Sequence, residues 1–346
     1  MDIIGFDVGT GNLVSAKPVS EGKTEVKTMR DMFLPVSPED LHSSEIANTQ
    51  LDYVELYDGG ELQTIAIVGE DAYRFANIFG QQVRRPMQKG VLSTQDVDAM
   101  DVIALMVEKL VGKSENGYCV YSIPAQAVDV DTPPVLYHEK VFGKIFSSLG
   151  YQSKPMNEGM SIVFSECAKE NFSGIAISFG AGLTNVACAY KGTPTLTFSV
   201  SRGGDWIDKS VADSVGKLPT RITAIKEKDL DLLNPNEGKK EERRVKQSLV
   251  IYYENLIRYV LKVLIAKFKE SSQGLSIDED IPIILSGGTS KPKGFRELFE
   301  KLFKEQEDQF PYSISEIRTA KDQLNAVALG NLVYALWEQK RQGVTK

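Results

Sequence analysis

The sequence predicts an α/β protein of two similar domains with a cleft between them. Three observations carry that reading. The first is length: 346 residues exceed one simple core and suit two domains of ordinary size. The second is alternation, since short apolar strands bounded by glycine turns alternate with segments of helical spacing. The third is repetition. A strand, glycine turn and returning strand near residue 5 recur near residue 177, and no low-complexity linker separates the halves.

Taken in order, Ile3 to Lys17 reads as a strand, the turn Gly9-Thr10-Gly11-Asn12 and a second strand. Residues 33–72 form a small strand-rich insert around the turn Asp58-Gly59-Gly60. Val97 to Val111 has helical spacing, and Tyr118 to Ile123 is a buried-type strand. Thr132 and Pro133 read as the N-cap and first position of a helix that ends near Gly150. In the second half, Gly174 to Phe179, Thr184 to Tyr190 and Thr195 to Ser199 are strands, and a helix starts near Trp206. Residues 234–246 are a charged run, read as a solvated helix start or loop. Val245, Leu249, Tyr252, Leu256, Val260, Val263 and Leu264 then mark a long amphipathic helix to about Lys269. Pro282 to Ser286 is a strand, Gly294 to Phe303 a helix, and the chain closes on a helix from about Asp322 to Gln339. The domains are expected at 1–155 and 156–346, with the second insert at 206–274.

Composition excludes several classes of function. Apolar runs are too short and interrupted to span a membrane. The N-terminus has no basic segment ahead of an apolar one, so a cytoplasmic location is expected and no direct membrane anchor is seen. Cys119, Cys167 and Cys188 sit in apolar surroundings and read as reduced core residues. Two histidines exclude a histidine-rich metal site, and a net charge of −7 argues against nucleic-acid binding by bulk charge.

The chemistry lies in three glycine turns: Gly9-Thr10-Gly11, Gly180-Ala181-Gly182 and Gly287-Gly288-Thr289. Converging backbone N–H groups at such turns bind phosphate, and glycine lets the backbone come close. Each turn alone is a common hairpin feature. The first, however, is preceded by Asp7, a carboxylate able to hold Mg²⁺ beside phosphates on the turn.

Order and spacing then match a family. Ile4 to Asn12 resembles the first phosphate motif of the actin, Hsp70 and sugar-kinase superfamily, Ile177 to Val186 the second, and Ile284 to Gly294 the adenosine motif. Within it the chain resembles the cell-shape and magnetosome-alignment bacterial actins. Arg85 to Leu92 is similar to their segment before a helix under the first sheet, and Val120 to Ala125 to their strand before the catalytic helix. Asn157-Glu158-Gly159-Met160 sits where they carry an acidic residue and a hinge, and Ser201 to Asp208 is similar to their Gly-Gly-Asp turn.

The resemblance implies an actin-like ATPase fold: two RNase H-like domains around a nucleotide cleft, each with an inserted subdomain. It implies ATP and Mg²⁺ as cofactors, with Asp7 on the metal. Gly9, Thr10, Gly11, Asn12, Gly180, Ala181, Gly182, Leu183, Thr184, Gly203, Gly204, Asp205, Gly287, Gly288, Thr289 and Lys291 are expected around the nucleotide. Arg221 to Lys226 lies where those proteins line the nucleoside, which places Lys226 near ribose or base. The implied activity is slow ATP hydrolysis coupled to head-to-tail assembly into a homopolymeric filament, with an adaptor protein as a further partner. A small-molecule kinase and a non-polymerising chaperone or assembly ATPase are the rival readings.

Two departures stand out. Where relatives open the second phosphate motif with Asp, this chain has Ser178, so slow or rearranged hydrolysis is expected. The residue that positions water is expected on the helix after Pro124, at His138 or Glu139. A carboxylate accepts a hydrogen bond from water at neutral pH, which favours Glu139, with Gln126 as a further alternative.

Overall fold

The computed structural model describes residues 1–20, 22–37, 39, 51–79, 81–130, 135–271 and 279–343. The first half contributes β1 (Ile3–Val8), β2 (Asn12–Ser20), β3 (Lys23–Arg30), β4 (Phe33–Val36), β5 (Tyr53–Asp58), β6 (Glu61–Val68), α1 (Gly69–Phe79), β7 (Met87–Gln88), β8 (Val91–Leu92), α2 (Ala99–Val111), β9 (Gly117–Ile123), α3 (Val135–Ser148) and β10 (Tyr151–Asn157). The second contributes α4 (Glu158–Glu166), β11 (Gly174–Phe179), β12 (Thr184–Tyr190), β13 (Thr193–Val200), α5 (Gly204–Val215), α6 (Pro219–Asp229), α7 (Lys240–Ser271), β14 (Ile281–Ser286), α8 (Phe295–Lys304), β15 (Ile314–Thr319) and α9 (Ala326–Arg341).

Each half is built on a five-stranded sheet of the same plan. The first runs β10-β9-β1-β2-β3 and the second β13-β12-β11-β14-β15. In each, the leading strand pairs antiparallel with the next, across the glycine turn, and parallel with a strand reached by a long crossover. The expected internal repeat is therefore a repeat of sheet topology. The expected first insert appears as the three-stranded sheet β4-β6-β5 leading into α1. The stretch expected as the second insert holds three helices, α5 to α7, that share one apolar core with the second sheet. Along α7, Val245, Leu249, Tyr253, Leu256, Val260 and Leu264 face that core. The expected cap at Thr132 and Pro133 lies outside the described residues.

The last helix departs from the sequence-based division. Placed by position in the second domain, α9 packs on α4 and on β1 of the first sheet. Gly5 makes this possible: a Cβ there would lie 2.2 Å from both the Ala328 carbonyl and the Leu332 amide nitrogen. Asn331, fully buried, donates to the Phe6 carbonyl at 2.8 Å and accepts from Ser161 at 2.6 Å, tying β1, α4 and α9 together. The main chain thus crosses between halves at Asn157 and again between β15 and α9.

His138 stands on the buried face of α3 and is fully buried. Its Nδ1 accepts from the Leu92 amide at 3.2 Å, and its ring packs on Phe142. Burial pushes its pKa down to about 4.

Two outcomes follow from these contacts. Gly5→Ala forces backbone apart from backbone and is expected to lower stability by about 1–3 kcal/mol, read as a urea midpoint; an unchanged midpoint contradicts the close packing. His138 stays neutral in the fold but charges in the unfolded chain. Its contribution is complete above the unfolded value of 6.5 and is lost as pH falls toward about 4. The loss is at most on the order of 3 kcal/mol. His138→Asn, which keeps an acceptor near the Leu92 amide, is expected to flatten the pH dependence of the urea midpoint in that window.

Candidate functional site

The glycine turns of the two sheets meet across a cavity of about 580 Å³. Its walls are Val8 to Asn12 from the first half, and Gly180 to Leu183, Gly204, Asp205 and Gly287 to Thr289 from the second. Short bonds knit the second wall. Gly204 N donates to the Gly180 carbonyl at 2.9 Å, Asp205 N to Ala181 at 2.9 Å, and Thr289 Oγ1 to Gly180 at 2.9 Å. The two hairpins also touch. Gly90 N donates to Thr10 Oγ1 at 3.0 Å, and a Cβ on Gly182 would stand 2.8 Å from that oxygen. Only a residue without a side chain lets the hairpins approach so closely.

Two carboxylates share the floor. Asp7 ends β1, and its Oδ1 accepts from Ser122 Oγ at 2.7 Å; that hydroxyl in turn accepts from the Val8 amide at 2.8 Å. Glu158 opens α4. Asn157 caps this helix, its Oδ1 accepting from the Gly159 and Met160 amides at 3.1 and 3.2 Å. Glu158 Oε1 accepts from Ser178 Oγ, and its Oε2 from Asn185 Nδ2, both at 2.7 Å. Asn185 is fixed in turn, since its Oδ1 accepts from Ala125 N at 3.0 Å.

Burial raises the Asp7 pKa to about 7. Burial first, and then the charge of Asp7, raises Glu158 to about 8. Among the described residues neither carboxylate forms an ion pair. Two buried carboxylates, the charge of Asp7 adding to the rise at Glu158, form a place for a cation. Among the described residues no cluster of three or more His, Cys, Asp or Glu encloses that place. A hard cation there would take its remaining ligands from phosphate and water, as Mg²⁺ does.

On the α6 wall, Lys226 Nζ lies 2.7 Å from both carboxylate oxygens of Asp208, and Thr223 Oγ1 donates to Asp208 at 2.7 Å. Arg85, from the first half, reaches Asp205 in the second at 2.8 Å. The fully buried Asp31 backs Arg85; burial pushes its pKa well above the carboxylate range, and Arg85 opposes that shift.

The expected residues converge with few exceptions. Asp7, Gly9, Thr10, Gly11, Asn12, Gly180, Ala181, Gly182, Leu183, Gly204, Asp205, Lys226, Gly287, Gly288, Thr289 and Lys291 line the one cavity. Thr184 and Gly203 stand behind it, Thr184 Oγ1 donating to the Arg202 carbonyl at 2.7 Å.

Glu139 does not line the cavity. Its Oε1 instead accepts from Lys140 at 3.3 Å, while its carbonyl accepts from Tyr121 at 2.9 Å. His138 is buried beside it, and the Gln126 carbonyl accepts from the Ser199 amide at 3.2 Å. The expectation followed the helix after β9, whereas the helix that opens into the cleft is α4, after β10. Ser178 donates to Glu158, a carboxylate that does line the cavity. The local signal was Asn157-Glu158-Gly159, a capped helix start directly after a strand.

The sequence model of the Volactin family matches residues 1–335. No curated protein sequence matches the chain at a significant level. Among solved structures it is similar to the MamK double helical filament, with a TM-score of 0.71 at 16% identity over 97% of this chain and 98% of that one. It is similar to MreB5 of Spiroplasma citri bound to ADP, with a TM-score of 0.65 at 14% identity over 99% of each. It also resembles the ethanolamine utilization protein EutJ from Carboxydothermus hydrogenoformans, with a TM-score of 0.55 at 16% identity over 96% of this chain and 90% of that one. At these identities the likeness is one of fold, the actin-like ATPase fold. With the family's sequence pattern matched over almost its whole length, the chain belongs to the Volactin family.

Proposed function

We propose that the chain binds ATP with Mg²⁺ in the cleft, hydrolyses it slowly, and assembles head-to-tail into filaments in the cytoplasm. The observation that carries this reading is the pair Asp7 and Glu158, without a counter-ion among the described residues, where two glycine hairpins converge. The cradle fits a polyphosphate, since backbone amides and hydroxyls face it and a side chain on Gly182 would meet Thr10. The pair fits a divalent cation, because ionising both carboxylates is costly until positive charge arrives. Supporting analogies are the ADP bound by the MreB5 structure and the filament formed by MamK. The three cysteines are buried and free, as suits a reducing compartment, and among the described residues no helix is long and apolar enough to cross a membrane.

Magnesium, when bound, supplies charge neutralisation and orientation of phosphate oxygens. The chain's own contribution is positional. Ser122 occupies Asp7 Oδ1 and leaves Oδ2 toward the turn, where a Cβ on Gly9 would stand 3.7 Å away. Ser178 and Asn185 each hold one oxygen of Glu158, so its remaining lone pairs point in a fixed direction and can accept the proton of an attacking water. Ser178 brings no charge of its own, which fits slow turnover. In filament assembly, a head-to-tail contact that does not close a ring propagates.

Glu158→Gln keeps a hydrogen-bonding side chain but loses the basic oxygen. It is expected to lower phosphate release at saturating Mg-ATP by roughly 10- to 1,000-fold, while Glu139→Ala leaves release unchanged. The reverse ranking contradicts the assignment. In sedimentation with Mg²⁺ and a slowly hydrolysed ATP analogue, wild type is expected to pellet above a critical concentration and Asp7→Lys to stay in solution. Wild type that binds nucleotide yet remains monomeric at every salt and protein concentration supports a non-polymerising ATPase instead.

A further inference from the structure

A second cleft-spanning ion pair lies on the α6 wall. Arg30 ends β3 in the first half, and Glu227 stands on α6, 197 residues away. Arg30 Nη2 donates to Glu227 Oε2 at 2.8 Å and Nη1 to Oε1 at 3.3 Å, a two-pronged grip. On its other side, Nε donates to Glu70 at 2.5 Å, at the start of α1, and the guanidinium lies 5.0 Å from the Tyr73 ring centre. Both Arg30 and Glu227 line the cavity.

Exposed ion pairs usually contribute little, because two flexible side chains must be ordered to make them. This pair is different in one respect. Glu70 and Tyr73 already hold Arg30 on the first half, so only Glu227 has to be ordered when the halves close. Arg30 has no rigid partner in the second half other than Glu227 among the contacts described, whereas Arg85 is backed by the buried Asp31. The pair therefore opens without stranding a buried charge.

We infer that Arg30 is a latch: its grip on Glu227 joins β3 and α1 of the first half to α6 and holds the cleft shut over bound nucleotide, so that release waits on its rupture. For its ligand the latch rests on the nucleotide-binding reading above; for its geometry it does not.

Two measurements separate these. The first is release of a fluorescent N-methylanthraniloyl-ATP, chased with excess ATP. Arg30→Gln and Glu227→Gln are each expected to speed release about three- to tenfold, and the double variant no further, since both break one bond. Raising salt from roughly 0.05 to roughly 0.5 M is expected to speed release from wild type but not from Arg30→Gln. Acceleration by Glu227→Gln alone means that Glu227 touches nucleotide directly, and overturns the latch. The second measurement uses nucleotide-free protein with spin labels at Tyr57→Cys and Leu218→Cys, exposed positions on opposite halves; Cys119, Cys167 and Cys188 are buried. The label distance is expected to broaden and lengthen in Arg30→Gln. An unchanged distribution overturns the latch, whether or not nucleotide binds. Wild type that fails to bind the fluorescent analogue overturns the nucleotide reading alone, and the label distances still decide the latch.

Discussion

Two buried carboxylates, Asp7 and Glu158, with no counter-ion among the described residues, are the constraint on which the rest of the structure turns. Burial makes each costly to ionise where it stands, and the charge of Asp7 adds to the cost at Glu158. Their surroundings nonetheless hold them in place. Ser122 fixes Asp7, Ser178 and Asn185 fix both oxygens of Glu158, and the Asn157 cap fixes the start of α4. A fold that keeps such a pair gives up stability in the empty state and recovers it on binding positive charge.

The packing around the pair follows from the same need. The carboxylates come from opposite sides of a chain crossing, so their separation depends on how the two sheets are held. Asn331 joins β1, which carries Asp7, to α4, which carries Glu158, through Phe6 and Ser161. Gly5 lets α9 come close enough to do so. The last helix therefore acts as a brace for the site, although none of its residues from Ala328 onward lines the cavity. On the far wall two ion pairs, Arg30 with Glu227 and Arg85 with Asp205, reach across the cleft.

Much of this was legible in the sequence because it is local. Ile4 to Asn12 and Ile177 to Val186 each encode a strand, a tight turn and a return within about ten residues, and glycine marks where backbone must face a ligand. Glu158 was harder to assign. Two strands in the first half, β9 and β10, are each followed by a helix, and only the crossing at Asn157 decides which helix reaches the cleft. Counting along the helix after β9 leads to Glu139, which lies outside the cavity. The destination of α9 was hidden for a similar reason. Periodicity shows that a helix has an apolar face but not which sheet receives it, and the deciding residue, Gly5, reads locally as an ordinary strand glycine. Arg30 and Glu227 each look like a solvated surface charge, and nothing within either segment announces the other.

Proton release on binding tests the role of the pair most directly. With Asp7 near 7 and Glu158 near 8 in the empty cleft, the pair holds protons at neutral pH. A divalent cation bound between them and the phosphates requires both to ionise. Calorimetric titration of Mg-ATP at neutral pH, in buffers of different ionisation enthalpy, is expected to show release of about one proton per site. That number should fall as pH rises through about 8, and should be smaller in Glu158→Gln. Tight binding with no proton release across this range would contradict a cation held by Asp7 and Glu158.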